Sequence, residues 1–263
     1  MTQKDNGRGV PPEKLETIAR NLAEHLAPGG SIRGLTVAGE VLSNLRSLKG
    51  HHRRVARLAA EGKTISGEME WLLDNWYIAE REGKEAAAAF KGVSRLRREK
   101  EGAFLTILAR AFVQAAEGTV NPDGIHAFFG GVQQVRALDE REVSLLIPAI
   151  CGALIFRLEK LAARIDKSPA EGLSDDLGRV FSSLRLLSAL DTTDILDEIS
   201  RTEQTLCHDP AGVYSQMDEK TRARYRERVS LLAKRHGLEE HQVAQRVLEL
   251  AQTGEGRTRH VGY

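Results

Sequence analysis

Along this chain apolar residues return every third or fourth position almost from end to end, the period of one face of an α-helix. Leu15, Ile18, Leu22 and Leu26 follow Pro11-Pro12, whose rings suit the first turn of a helix, and Ala27-Pro28-Gly29-Gly30 is expected to end it. A second stripe, Val41, Leu42, Leu45, Leu48, Val55 and Leu58, predicts a helix over residues 37–60, with an expected interruption at Gly50. A third opens at Ser66-Gly67-Glu68-Met69, carries Trp71, Leu72, Trp76 and Ile78, and continues through the alanines at 86–89. Residues 103–116 read as a dense apolar helix, and Asn121-Pro122-Asp123 as the cap of a helix holding Ile125, Phe128, Phe129 and Val132.

The second half keeps the same rhythm. Asp139 is expected to cap a long helix ending near Ile165. Between Glu142 and Arg157 it has no charge for about 14 residues, short of the roughly 17–25 that a membrane span needs, so it reads as a core helix. Lys167-Ser168-Pro169 and residues 171–174 form the expected boundary. It separates a subdomain at 11–167 from one at 174–253, with a flexible start at 1–10 and a tail at 254–263. Leu177, Val180, Phe181, Leu184, Leu187 and Leu190 then mark a helix, and Thr192 or Thr193 caps one running towards Cys207. Asp209-Pro210-Ala211-Gly212 is a turn. Asp218 caps a helix closed by Gly237, and a last helix covers 239–251. No alternating β-branched run is long enough for a strand. The predicted fold class is all-α, a multi-helix array of roughly ten helices with no sheet.

Composition narrows the function classes. The 38 basic and 37 acidic residues nearly cancel, which excludes a histone-like nucleic-acid binder, and aromatics at 5% argue against a groove paved with stacking rings. Cys151 and Cys207 cannot build a disulfide framework and read as small buried hydrophobes; a reducing compartment fits. The N-terminus has no apolar segment of secretory type. No phosphate loop, dinucleotide fingerprint, HExxH or nucleophile elbow occurs, nor any Asp-x-Asp triplet. Asp175-Asp176 reads as charge at a helix start. His51-His52 point about 100° apart on a helix and make a poor metal pair. No catalytic residue, cofactor or metal is expected. Two basic clusters, Arg53-Arg54-Arg57 and Arg95-Arg97-Arg98, read as solvated helix faces or contacts to an anionic surface. Trp71 and Trp76, five apart, read as packing residues.

The C-terminal third carries recognisable text. Residues 183–191, SLRLLSALD, resemble the SLRLLSALDW stretch of bacterial cyclic β-1,2-glucan synthases. Residues 209–218, DPAGVYSQMD, are similar to their DPAGVYAxMD, residues 221–226, TRARYR, to TRDRYR, and residues 260–263, HVGY, to the start of HVGYYL. Residues 240–244 and 248–251 follow the next helix of that family. Upstream, residues 70–75, EWLLDN, resemble EWLLDNF. These blocks stand in the family's order over residues 66–263. Thr192 departs from the usual tryptophan and Glu219 from the usual phenylalanine, and the likeness is weak over 79–180.

The resemblance implies the N-terminal cytoplasmic region of a multidomain, UDP-glucose-using glycosyltransferase at the inner membrane. In that family it precedes membrane helices, the transferase module and a phosphorylase-like module. Met1 reads as a true start, and the end at Tyr263, inside a family motif, leads us to expect a longer protein. The expected function is a non-catalytic accessory domain packing on those downstream modules. Structural roles are expected for Glu70, Trp71, Asp74, Arg185, Asp191, Asp209, Tyr214, Asp218, Arg222 and Tyr225: Asp218 as a cap, Asp209-Pro210 as a turn, the arginines and tyrosines as anchors between helices. The alternative is a self-contained helical adaptor that binds a protein or an anionic membrane. Nucleic acid is not an expected partner.

Overall fold

The uncharged run becomes the centre of the molecule. A computed structural model describes residues 9–165 and 172–262, and in it α7 (Leu146–Ile165) buries Leu146, Ile150, Leu154, Ile155, Leu158 and Leu161 on nearly every side. A helix whose first three turns carry no charge must be surrounded there. Around it stand α2 (Gly34–Ala60), α3 (Gly67–Lys91), α4 (Phe104–Ala115) and α8 (Leu173–Ala189). The α1 helix (Pro12–His25) lies on α5 (Pro122–Val135), and α9 (Thr193–Ile199) completes that side. Twelve α-helices occur among the described residues, so the protein is essentially all-α. None of them is long and apolar enough to cross a membrane.

Several expected boundaries moved. Gly50 does not interrupt α2, which runs unbroken because a single glycine costs a helix only about 1 kcal/mol. Asp139 caps a short α6 (Glu140–Ser144) rather than one long helix; its carboxylate accepts from the Glu142 amide, and Glu142 returns a bond to the Asp139 amide. The expected helix to Cys207 is two, α9 and α10 (Arg201–Cys207), the second capped by Ser200, which accepts from the Glu203 amide. Asn121 and Asp218 cap α5 and α11 (Glu219–His236) as expected, and Ser66 caps α3. Gly237, at φ 66°, closes α11 in the left-handed region that favours glycine. The last helix, α12, spans Glu240–Thr253.

The expectation of no sheet needs correcting. Residues expected only to terminate α1 form β1 (Pro28–Ile32), which pairs antiparallel with β2 (Leu96–Glu99), and β2 turns into β3 (Gly102–Ala103). These strands are too short and glycine-rich for an alternating pattern to register. Next to the sheet, Arg97 of β2 and Arg136 both lie over the Phe104 ring, at 4.5 and 4.4 Å from its centroid. Arg136 Nη2 donates to buried Glu99 (3.0 Å) and Arg97 Nε to buried Glu142 (2.6 Å).

The subdomain boundary expected at 167–174 lies mostly outside the described residues. The packing divides further along the chain. Buried apolar residues from Leu15 to Ile199 form one cluster that includes α8 and α9, whereas Leu206 to Val261 form a second, much smaller one. The C-terminal lobe therefore starts near residue 200.

Phe104, with two guanidiniums over its ring, is fully buried. Phe104→Ala should lower unfolding stability by about 3–5 kcal/mol, measured by urea denaturation. A loss under ~1 kcal/mol would show that the fold does not depend on this ring.

Candidate functional site

The C-terminal lobe has few apolar residues to bury, and charge does much of the joining. On α11 the spacing of Glu219, Arg222 and Arg226 puts all three on one face. Arg226 is nearly enclosed, its side chain 7% exposed. It donates through Nε to Glu140 of α6 (2.5 Å), through Nη1 to Glu203 of α10 (2.5 Å), and through Nη2 to Glu219. Arg222 donates to the other oxygen of Glu203 (2.5 Å) and pairs with Asp197 of α9 (2.9 Å) and Glu219 (3.0 Å). The Tyr214 hydroxyl donates to Glu203 Oε2 (2.7 Å). From α12, Glu240 accepts the Glu140 amide (2.7 Å). Two guanidiniums thus bind four carboxylates from α6, α9, α10 and α11.

Beside it, Asp209 gathers the chain end. Its carboxylate accepts from the amides of Val213 (3.1 Å), Tyr214 (3.1 Å) and Val261 (3.0 Å) and from His260 Nδ1 (2.8 Å). The other ring nitrogen of His260 meets the Tyr225 hydroxyl at 3.0 Å. Gly262 lies against the Tyr225 ring; a Cβ there would be 2.4 Å from Cε1, so this approach requires glycine. The DPAG turn, the tyrosine of α11 and the HVG segment are therefore one unit.

Burial sets the charges apart. It pushes Glu140 and Asp197 above the usual carboxylate range despite their arginines. Burial opposes the charge of Glu203 and Asp209 as well. There the hydrogen bonds prevail, from Tyr214 and Arg226 to Glu203 and from His260 and backbone amides to Asp209, and both are held below their ordinary values. Burial and then Glu203 push the Cys207 thiol up to about 11. It ends α10 and is exposed, contrary to the expectation of a buried hydrophobe; Cys151, on α7, is buried.

The remaining expected residues lie elsewhere. Arg185 of α8 donates to Asn75 of α3, joining the first and second motif blocks, and Asn75 Nδ2 donates to the Trp71 carbonyl (2.8 Å). Glu70 and Asp74 are exposed. Trp71 is 37% exposed, while Trp76 is buried and stacks on His52 at 5.0 Å. Asp191, just before α9, accepts the Thr193 amide (3.0 Å), whereas Thr192, which stands at the expected cap position, makes no side-chain cap bond. Asp218 is a cap alone, accepting the Thr221 amide (3.0 Å). Glu140, Asp197 and Glu203 carry no sequence expectation, and Glu219, Arg226 and His260 enter only through the family likeness, without a role. The positions 219, 222 and 226, three and four apart with opposite charges, were a readable signal for the α11 part.

The two basic clusters do not meet. The Gly34 amide donates to the Val93 carbonyl (3.1 Å), which sets the start of α2 beside β2. Arg53 and Arg57 lie about 30 Å further along that helix. Arg97, expected as a surface contact, is instead tied to Glu142 and the Ala137 carbonyl (2.7 Å). A buried carboxylate opposite it makes an internal pair preferable to solvent. Arg53, Arg57, Arg95 and Arg98 are exposed.

Chemically the arrangement binds segments of its own chain. Among the described residues no group of three histidine, cysteine or acidic side chains is placed to hold a metal ion. The chain matches no protein-family model, and none of the curated proteins matches it.

Glu203 is 1% exposed at the centre of the network. Glu203→Gln should cost about 3 kcal/mol at neutral pH. A depressed folded value contributes stability above the unfolded value near 4.5 and loses it as pH falls through the lower folded value. The gap between wild type and variant should therefore narrow below pH 4.5. Urea midpoints from pH 7 downwards check this; a gap that widens in acid would contradict the assignment.

Proposed function

We propose that the chain is a non-catalytic helical accessory domain of a cyclic β-1,2-glucan synthase-like glycosyltransferase, packing against the membrane, transferase and phosphorylase-like modules that follow in such proteins. The observation that carries this reading is the use made of the motif residues. Asp209, Tyr225 and His260 spend their polar atoms on one another and on amides of the turn and the chain end, while Tyr214 and Arg222 spend theirs on Glu203. A general acid or base needs a free polar atom within reach of a substrate. Here the carboxylates face guanidiniums and amides, so in this reading these residues fix the direction in which the chain leaves α12. A segment that presents the following modules in a set orientation needs such a clamp.

Contact with an anionic leaflet, at the cytoplasmic face of the inner membrane, is assigned in this reading to the α2 cluster with Arg53, Arg54 and Arg57, and not to Arg97.

The test is reconstitution. A cyclic β-1,2-glucan synthase lacking its own N-terminal region is co-expressed with residues 1–263, and incorporation from radiolabelled UDP-glucose is followed. The chain alone should incorporate no glucose, and its presence should raise synthesis by the truncated enzyme. Transfer by the chain alone, or no effect in the mixture, would overturn the proposal.

A further inference from the structure

A cavity of the C-terminal lobe is lined by none of the carboxylates of the ion network. It is a half-open groove of about 690 Å³ between α11 and α12, closed at one side by the chain end around Gly254 and Gly262. Val229, Leu232, Val247 and Leu250 give it an apolar floor and rim. Leu232 is 38% and Leu250 62% exposed, large apolar side chains that no part of the described chain covers. An apolar depression flanked by exposed leucines marks an interaction site. A small molecule would be more enclosed than this groove permits.

Charge states what the occupant must carry. Arg224 and Arg228 are the charged side chains lining the groove, with no carboxylate among the lining residues. They are exposed, and they make no ion pair among the described residues. Neighbouring Arg226, by contrast, has all three nitrogens in the network, and Arg222 pairs with three of its carboxylates. One helical turn separates Arg224 from Arg228, about 6 Å along the axis. A helix lying along the groove would match them with two carboxylates at i and i+4.

We propose that this groove docks an acidic amphipathic helix of a polypeptide, its leucine-type face on Val229, Leu232, Val247 and Leu250 and two carboxylates on Arg224 and Arg228. The inference rests on the docking role proposed above and gives that partner a chemistry. A third helix here would extend the small second core, whose nine buried apolar residues leave α11 and α12 thinly covered. A second copy presenting the same groove would set arginine against arginine, and anionic lipid would leave the leucines' spacing without a purpose.

The probe is a fluorescein-labelled amphipathic peptide of about 18 residues, leucines at i, i+3, i+4 and i+7 and glutamates flanking them. A second peptide carries lysines in place of the glutamates. Fluorescence anisotropy with residues 1–263 should show the acidic peptide binding at least about tenfold more tightly than the basic one. The double variant Arg224→Glu/Arg228→Glu should reverse that preference, and Leu250→Asp should weaken both peptides. These positions are on the surface, so circular dichroism should stay unchanged. Equal binding of both peptides, no binding at 100-fold excess over the protein, or a preference untouched by charge reversal would overturn the proposal. So would concentration-dependent dimerisation, or binding to anionic vesicles, that is lost with the same substitutions. Failure here leaves the reconstitution result standing, and failure there leaves the peptide preference standing.

Discussion

Arg226 is the point on which the C-terminal third turns. A guanidinium with a side chain 7% exposed cannot be left unpaired, and three carboxylates from α6, α10 and its own helix meet it. Removing any one leaves buried charge unsatisfied, which costs far more than the pair gains over a well-packed apolar contact. Such a network is therefore an all-or-none device. It specifies one arrangement of helices more than it adds stability, and it does so where apolar contacts are sparse.

The molecule joins its parts by two kinds of contact. From α1 to α9 an apolar cluster surrounds α7, and polar groups serve as caps and lie over the Phe104 ring. Beyond residue 200 the buried apolar set is small, and α11 has only Val229 and Ala233 as buried apolar positions. Glu140 on α6 and Asp197 on α9 belong to the first part, while Arg222 and Arg226 belong to the second. The ion network is thus the seam between the two. Asp209 and His260 add a second fastening that sets the chain end against Tyr225 and forms one wall of the groove.

Helix periodicity was strong enough in the residues themselves to make α1, α3, α4, α5 and α8 legible, and the caps at Asn121 and Asp218 were readable because cap chemistry is local. The sheet was not, since β1 is Pro-Gly-Gly-Ser-Ile and its pairing with β2 is a contact across more than sixty residues. The division of α9 from α10 escaped notice because Ser200 sits inside an otherwise continuous helical pattern. At the candidate site, Tyr214, Arg222 and Tyr225 were legible as anchors and Asp209 as a turn, but their partners were not. Glu140 lies 86 residues from Arg226, and no local pattern pairs them. Arg97 shows the converse: a basic run on paper, it becomes internal because Glu142 is buried opposite it.

Hydrogen exchange on an Arg226→Met variant tests the central claim most directly. The amides of Val213, Tyr214 and Val261, all bonded to Asp209 rather than to Arg226, report on the lobe at a distance from the substitution. The account predicts that their protection falls together with that of α10 to α12, while α2, α3 and α7 keep theirs. Unchanged protection at those three amides, or an even loss across α7 and α11 alike, would contradict the view that this network is the seam holding the C-terminal lobe.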